Sequence, residues 1–385
     1  MSKLIIKGIH YRTNEPVEIE IEAGKISRVT PLSSSECEGS AIVAPGLVDL
    51  QINGYLGMDF NTLPIADGLV IEATKVIFSQ GVTSYYPTVI TNSVDAIEQA
   101  VAAIAAQCRQ DALTDQAVQG IHVEGPFISA EDGPRGAHDK QYVQAPDWDA
   151  FCRWQEAAEG RIKIITLSPE WPGSTEFIRK CSESGVTVSI GHSSATPEQI
   201  REAVAAGARM STHFGNGAHL MLPRHPNYLW EQLAQDDLWT CLIGDGFHLP
   251  ESVLKVAMAV KQEKALLVSD AVYLAGMKPG EYETHIGGKV ILNESGKLHL
   301  ASNDKILAGS AQMLPWGIEH LTRTGLADLA DAWEMSSVRP ARSMGLPMQE
   351  GIRAGAPADL VLFTHDNGHV NIRETYKSGQ LVYKK

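Results

Sequence analysis

Short apolar runs alternate with amphipathic stretches from about residue 42 to residue 272. Each run is rich in β-branched residues and ends at a polar or glycine-containing corner, which is typical of a buried strand followed by a loop. The runs are LVDLQI, VTSYYPTVI, VQGIHVEG, KIITLSPE, VTVSIGHS, RMSTHFGN, LWTCLIGDG and ALLVSDAV. Helical patterns such as SVDAIEQAVAAIAAQ and TPEQIREAVAAGA lie between them. In the second of these, Thr196 as N-cap and Pro197 at the first helical position predict a helix start.

This repeated strand–helix unit predicts an α/β fold. Eight units over this length favour a TIM (β/α)8 barrel, and a doubly wound parallel sheet is the alternative. The two flanks, residues 1–43 and 351–385, instead contain short alternating runs separated by glycine turns. Neither flank alone has enough apolar residues for a core. We therefore expect both chain ends to pair in one small β-sandwich domain, beside a catalytic barrel domain of residues 44–350.

Composition limits the class of protein. The chain has 385 residues and a net charge of -14, which argues against unassisted binding to nucleic acid or anionic membranes. No apolar run approaches the ~18 residues of a membrane-spanning helix. The five cysteines are scattered and odd in number, and the start MSKLIIKGIHYR lacks the apolar region of a signal peptide. These features predict a cytoplasmic protein with free thiols.

Polar residues with possible catalytic roles occur where the predicted strands end. In a barrel, catalytic residues project from the carboxyl ends of the strands. The residues found there are Gln51, Asn53, Glu124, His192, His213, Asp245, His248 and Asp270. One Glu and two His from three different strands can supply three metal ligands and leave a fourth position open for water. That pattern is typical of a catalytic zinc site.

The other strand-end residues are interpreted separately. Asp270 would lie beside the bound water as a general base. Asp245, in the sequence GDG, is interpreted as a turn residue, and His122 as a packing or supporting residue. A single His at a strand end is more often structural in a chain with 13 histidines, so the site depends on several such residues coinciding. The sequence contains no nucleophile elbow, phosphate loop or dinucleotide fingerprint.

A series of motifs extends over nearly the whole chain. They are PGLVDLQING, HVEGPFIS, GAH, LSPE, GHSSAT, STHFGN, GDGFH, VSDA, LAGS and AGAPADLVLF. In this order they resemble the N-acetylglucosamine-6-phosphate deacetylases of the amidohydrolase superfamily. The resemblance implies a TIM barrel with a β-sandwich from both termini. It also implies metal-dependent hydrolysis of the acetamide of N-acetylglucosamine 6-phosphate to glucosamine 6-phosphate and acetate.

The resemblance assigns roles to individual residues. Glu124, His192 and His213 carry over as metal ligands. Asp270 carries over as the acid/base, and His138, in GAH, as the residue that stabilises the oxyanion. The substrate contacts carry over as Ala137, Asn216, Gly217, Arg224, His248 and Leu307. In the family the Arg and the His of this set grip the phosphate from the neighbouring subunit, which implies a homodimer or a higher oligomer.

The first predicted strand bears on the number of metals. Some members of the family carry His-x-His on this strand and hold two metals, whereas this chain has Gln51 and Asn53 at the two positions. Amides are poor ligands for zinc. The resemblance therefore implies one divalent metal per subunit, Zn²⁺ or Fe²⁺, at the three ligands named above. The amide of Gln51 could instead form a hydrogen bond near the vacated position.

The run HFGNGAHLMLPRHPNYLW departs from the family pattern after the third ligand. It contains Gly215, Gly217 and the additional His219, and it leaves the roles of His219 and His225 open. The identity of the substrate sugar is therefore also left open. N-acetylgalactosamine 6-phosphate and an unphosphorylated N-acetylhexosamine are the alternative substrates. The alternative outside the enzymes is a sugar-binding protein that holds no metal. Asp270 argues against it, because a binding protein needs no acid/base.

Overall fold

The computed structural model describes residues 3–33, 41–284 and 288–385, so Cys37 lies outside the described residues. The strands of the described residues are, in chain order, β1 (Leu4–His10), β2 (Pro16–Glu22), β3 (Lys25–Pro31), β4 (Ile42–Pro45), β5 (Leu47–Ile52), β6 (Gly54–Tyr55), β7 (Met58–Asp59), β8 (Val82–Ile90), β9 (Ile121–Glu124), β10 (Ile162–Leu167), β11 (Thr187–Ile190), β12 (Met210–Ser211), β13 (Trp239–Ile243), β14 (Ala265–Val268), β15 (Gly280–Thr284), β16 (Gly288–Leu292), β17 (Leu298–Leu300), β18 (Asn303–Leu307), β19 (Leu360–Asp366), β20 (His369–Lys377) and β21 (Gln380–Lys384).

The α-helices of the same residues are α1 (Leu69–Ile77), α2 (Val94–Gln110), α3 (Ala112–Ala117), α4 (Trp148–Ala157), α5 (Ser174–Glu183), α6 (Pro197–Ala206), α7 (Tyr228–Ala234), α8 (Glu251–Lys261), α9 (Leu314–Arg323), α10 (Leu329–Met335) and α11 (Val338–Ser343). Among them, none combines the length and the apolar character that crossing a membrane requires.

Eight parallel strands form the central sheet, in the order β14-β13-β12-β11-β10-β9-β8-β5. The first and last of these strands meet just beyond β14. There Ile52 and Ala271 form a parallel bridge, and the Asp270 N–H donates to the carbonyl of Gln51 at 2.9 Å. The predicted TIM (β/α)8 barrel is confirmed, and the doubly wound alternative is wrong. All carboxyl ends of the strands therefore face one mouth.

Local sequence explains both kinds of element in the barrel. The strand β5 is buried along its whole length, as expected for a parallel strand covered on both faces. Helix α6 begins with a capping box: the Thr196 hydroxyl accepts from the Gln199 N–H, and the Gln199 side chain accepts from the Thr196 N–H. The apolar side of this helix packs inward through Ile200 and Ala203. The predicted start of this helix is confirmed.

Both chain ends contribute to a second sheet, in the order β21-β20-β19-β4-β1-β2-β3. This sheet folds back on itself, because the Ile26 N–H in β3 donates to the carbonyl of Ala356 at 2.9 Å. Ile19, Val43 and Leu360 belong to the apolar core that it encloses. The prediction that the two termini pair is confirmed. The limits of 1–43 and 351–385 for this unit, and of 44–350 for the barrel, stay predictions.

A buried ion pair attaches the terminal sheet to the barrel. The Lys377 ammonium in β20 lies 2.7 Å from a carboxylate oxygen of Asp359 and 3.2 Å from the hydroxyl of Ser84 in β8. Both charged side chains are almost completely buried. Removing one partner of such a pair leaves an uncompensated buried charge, which is strongly destabilising. The contact therefore fixes the two units relative to each other.

An antiparallel sheet of β15, β16, β17 and β18 follows the last barrel strand, and the sequence analysis did not predict it. Its apolar core includes Leu274, Val290 and Leu298. The insertion returns to the barrel at Ser310, which forms a parallel bridge with Ala271 directly after Asp270. The insertion therefore lies beside the mouth of the barrel.

Candidate active site

Glu124, His192 and His213 come together at the mouth of the barrel, at the ends of β9, β11 and β12. The Nε2 atoms of His192 and His213 lie 3.2 Å and 3.0 Å from Oε1 of Glu124, and 3.0 Å from each other. All three side chains are buried. Three potential ligand atoms thus surround one small volume.

The donor set fits a divalent metal. Ligand atoms that bind one tetrahedral ion at about 2.0–2.1 Å are separated by roughly 3.3 Å, close to the separations found here. The Nδ1–H of His192 donates to the carbonyl of Pro134 at 2.8 Å. This hydrogen bond orients the ring and leaves the Nε2 lone pair directed at the cluster. The cluster can therefore hold a metal, as the sequence predicted.

Electrostatics in the cluster favours binding of a cation. Burial alone would raise the pKa of Glu124, but its contacts with His192 and His213 outweigh burial and hold the pKa well below its usual range. Burial alone would lower the pKa of His213, but the contact with Glu124 raises it to about 9. Imidazole binds metals only in its neutral form. A cation that binds here must therefore displace a proton.

Asp270 lies beside this cluster, two residues after the last barrel strand. Burial raises the pKa of its carboxyl group to about 6, against the opposing charge of His213. The side-chain amide of Asn53 donates to Oδ1 of Asp270 at 2.8 Å and so fixes the carboxylate. A carboxyl group with a pKa near neutrality can both accept and return a proton at physiological pH.

Three residues of the site have left-handed backbone conformations that non-glycine residues rarely adopt. The φ angles are 48° at His192, 23° at His213 and 48° at Asp270. Such conformations are costly and persist where the surrounding structure imposes them, which is often at functional sites. Each of the three residues follows a barrel strand directly or within two residues, so the turn redirects its side chain over the mouth.

Gln51 and Asn53 each donate a hydrogen bond to a carboxylate of the site. The Gln51 amide donates to Oε1 of Glu124 at 3.0 Å, and the Asn53 amide contacts Asp270 as described. The hydrogen bond suggested for Gln51 from the sequence is present.

His138 reaches the cluster from the loop after β9. Its Nε2 lies 3.2 Å from Nε2 of His192, and its Nδ1 lies 2.8 Å from the hydroxyl of Thr91. Burial lowers the pKa of His138 to about 3, so the ring is neutral near pH 7. The sequence analysis did not select Thr91. No motif marks it, because its contact with His138 joins residues 47 apart in the chain.

Gly217, one of the predicted substrate residues, borders His192. Gly217 has a φ of 59°, and a Cβ atom there would lie 2.7 Å from Nδ1 of His192. Only glycine fits so close to this ring. The Asn216 amide donates to the carbonyl of His213 at 3.2 Å, and Ala137 directly precedes His138. Two loops therefore enclose the outer side of His192.

The remaining predicted residues lie farther out. Leu307 ends strand β18 of the insertion, and Arg224 is exposed in the loop between β12 and α7. His122 is outside the cluster: its ring contacts the hydroxyl of Thr166 at 2.7 Å and the carbonyl of Leu50 at 3.0 Å. This fits its interpretation as a packing or supporting residue.

Asp245 and His248 form one turn. The carboxylate of Asp245 accepts from the N–H of Phe247 and of His248, and it lies 2.7 Å from Nδ1 of His248. Burial raises the pKa of Asp270, and the charge of His248 is among the weaker influences that lower it. The role predicted for His248 at the phosphate of a neighbouring subunit stays a prediction.

Comparison with known proteins identifies the family. The model of the amidohydrolase family matches residues 42–382. The N-acetylglucosamine-6-phosphate deacetylase of Lysinibacillus sphaericus is 32% identical over 379 residues, with 96% of this chain and 94% of the relative covered. The chain belongs to the amidohydrolase family, among the N-acetylglucosamine-6-phosphate deacetylases. The human deacetylase is also 32% identical, over 361 residues, with 90% of this chain and 84% of the relative covered.

Solved structures of deacetylases agree with this membership. The Mycobacterium smegmatis enzyme has a TM-score of 0.86 and 26% identity, with 99% of this chain and 100% of that chain covered. The Thermotoga maritima enzyme has a TM-score of 0.84 and 27% identity, with the same coverage. The chain is thus an amidohydrolase, an enzyme that hydrolyses carbon–nitrogen bonds. The predicted family and reaction class are confirmed.

Proposed function

We propose that the chain hydrolyses the acetamide of N-acetyl-D-glucosamine 6-phosphate to glucosamine 6-phosphate and acetate. The observation that carries this proposal is the cluster of Glu124, His192 and His213 beside the buried Asp270. The relatives are deacetylases of this sugar phosphate, and a substituted form of the M. smegmatis enzyme has been solved in complex with it. The test is acetate release from the sugar phosphate, compared with N-acetylgalactosamine 6-phosphate and N-acetylglucosamine. A holoenzyme that prefers either comparison sugar would contradict the proposal.

The mechanism assigns the proton transfers to Asp270. When bound at the cluster, a divalent cation supplies Lewis-acid chemistry: it polarises a carbonyl and lowers the pKa of water. Asp270 accepts the proton of the water that attacks the acetamide carbon, and Asn53 holds the carboxylate in the required orientation. After attack, Asp270 donates the same proton to the amine nitrogen as the carbon–nitrogen bond breaks. His138, in the loop after β9, stabilises the oxyanion that forms on the acetamide oxygen.

We expect one equivalent of metal per chain, Zn²⁺ or Fe²⁺, because amides occupy the positions of a second set of ligands. Elemental analysis of protein purified without added metal should give about one equivalent and identify the ion. The variant Gln51→Ala is the matched control. It removes the amide next to Glu124 but none of the three ligands, so its metal content should also be about one. Two tightly held equivalents in the wild type would refute this expectation.

The loop that carries Arg224 supports a homodimer. Leu220 is 99% exposed and Met221 is 87% exposed within this chain. Two large apolar side chains next to each other at a loop tip are typical of an interaction site. We propose that this tip packs on a second copy of the chain and brings Arg224 to the sugar phosphate of the neighbouring site. His248 would bind the same phosphate.

Arg224→Ala should lower kcat/KM for the 6-phosphate sugar by about ten- to a hundredfold, because an Arg–phosphate contact is charge-assisted and often bidentate. The change should lie mainly in KM. Reaction with unphosphorylated N-acetylglucosamine should be almost unchanged. His225→Ala, at the next position of the same exposed loop, is the matched control. Equal loss with both sugars would show that Arg224 does not bind the phosphate.

A mixing experiment tests whether Arg224 acts across the dimer. In a heterodimer of Arg224→Ala with Asp270→Asn, one site combines the Asp270 of one subunit with the Arg224 of the other. Random mixing should then restore about a quarter of the wild-type sites. If Arg224 acts within its own chain, every site of the heterodimer lacks one group and mixing restores nothing.

We also infer that the protein is cytoplasmic. Among the described residues, Cys108, Cys152, Cys181 and Cys241 are free thiols. Unpaired cysteines are typical of reducing compartments. The free thiols fit a cytoplasmic location.

A further inference from the structure

One histidine joins the divergent loop after β12 to the loop after β9. The Nε2 atom of His219 lies 2.9 Å from Oε2 of Glu131, and its Nδ1 lies 3.0 Å from the hydroxyl of Tyr228. The backbone N–H of His219 also donates to this hydroxyl, at 2.8 Å. The family resemblance assigns no role to His219, so its contacts need a separate explanation.

A neutral His219 ring satisfies all three of these hydrogen bonds. The Tyr228 hydroxyl accepts from the backbone N–H of His219, so its own proton can be donated to Nδ1 of the ring. In the neutral imidazole one nitrogen accepts and the other donates. The donor is then Nε2, and its proton points to the Glu131 carboxylate. Both ring nitrogens are used, and the ring orientation is fixed from two sides.

The two loops that His219 joins carry the groups proposed to contact the sugar. The loop after β9 carries Ala137 and His138, and the loop after β12 carries Asn216 and Gly217. Their backbones touch: a Cβ atom at Gly133 would lie 3.2 Å from the carbonyl oxygen of the residue before His219 and 3.2 Å from the Cα atom of His219. The two loops are therefore in direct contact, and their separation sets the spacing of the residues proposed to contact the sugar.

Glu131 connects this contact to a third loop. Its Oε1 accepts from the hydroxyl of Ser194 at 3.2 Å, and the Ser194 N–H donates to Glu170 at 2.9 Å. Ser194 follows the metal ligand His192 by two residues. The network thus runs from Tyr228 through His219 and Glu131 to the segment that holds His192.

We propose that His219 is a positioning residue that sets the separation of the two sugar-binding loops through Glu131 and Tyr228. This inference rests on the proposed function. Binding sites need their contact groups held within a fraction of an ångström, and a displacement of about 1 Å can cost roughly a hundredfold in rate. The Glu131 side chain is 62% exposed, so the pair contributes little to global stability. Its loss should therefore change substrate binding much more than unfolding.

The experiment compares His219→Ala with His219→Gln in the metal-loaded enzyme. The alanine variant should lower kcat/KM for N-acetylglucosamine 6-phosphate by about tenfold, mainly through KM, with unchanged metal content and melting temperature. Glutamine has an N–H donor for Glu131 and an oxygen acceptor for Tyr228, so it should restore most of the loss. Calorimetric titration of the sugar phosphate into each variant combined with Asp270→Asn should give the same ratio of dissociation constants.

A double-mutant cycle that combines His219→Ala with Glu131→Ala tests whether His219 acts through Glu131 or independently of it. If the two side chains act together, the double variant should be no worse than either single variant. His225→Ala, in the exposed part of the same loop, should match the wild type. Kinetic constants of His219→Ala within twofold of the wild type, or effects that multiply in the double variant, would overturn the inference. If the wild type itself releases no acetate from this sugar phosphate, the proposed function fails instead.

Discussion

His213→Ala should yield a folded chain that holds no tightly bound metal and shows no measurable deacetylation. The cluster offers three ligand atoms within hydrogen-bond distance of one another, and one of them is lost. Even a supporting residue around a metal is worth about 10- to 100-fold in affinity, and a direct ligand is worth more. Glu124 would also lose its contact with His213, which helps to stabilise the buried charge.

Metal content and thermal unfolding check this result. Elemental analysis should find far less than one equivalent in His213→Ala. Added metal should raise the melting temperature of metal-stripped wild-type protein but not that of the variant, because only binding to the folded state stabilises it. His225→Ala, an exposed histidine outside the cluster, should keep both metal and activity. A His213→Ala protein with full metal and normal turnover would remove His213 from the ligand set.

Asp270→Asn should keep the metal and lower kcat by about 10²–10⁴-fold, the usual contribution of a general acid/base. The carboxamide has nearly the same shape, and its oxygen can still accept the hydrogen bond from Asn53. It cannot take a proton from water or return one to the amine. Since the pKa of Asp270 is about 6, the wild-type kcat/KM should fall as the pH drops through the acid range, when the carboxylate becomes protonated.

Three measurements on Asp270→Asn distinguish chemistry from binding. Metal content should stay near the wild-type value, and the dissociation constant for the sugar phosphate should change little. The residual rate should lose the fall of activity at acid pH that the carboxylate imposes. Near-normal turnover in this variant would transfer the acid/base role to another residue. Loss of metal would instead indicate that Asp270 is a ligand.

The sequence determined the features that depend on local pattern. Buried runs rich in β-branched residues predicted the barrel strands, and the capping signals at Thr196 and Pro197 predicted the start of α6. The candidate ligands could be selected from the chain alone, because parallel strands expose their carboxyl ends at one mouth. The amides Gln51 and Asn53 at the end of the first barrel strand were visible there as well. The order of the motifs determined the family.

Only the tertiary structure decided how residues distant in the chain meet. The His219–Glu131 contact joins residues 88 apart, and no periodicity or motif encodes such a pair. The insertion of β15, β16, β17 and β18 escaped prediction because short antiparallel strands give a weak alternating signal. Local patterns specify the elements and their chemistry, whereas the packing of loops over the barrel mouth determines which side chains act together.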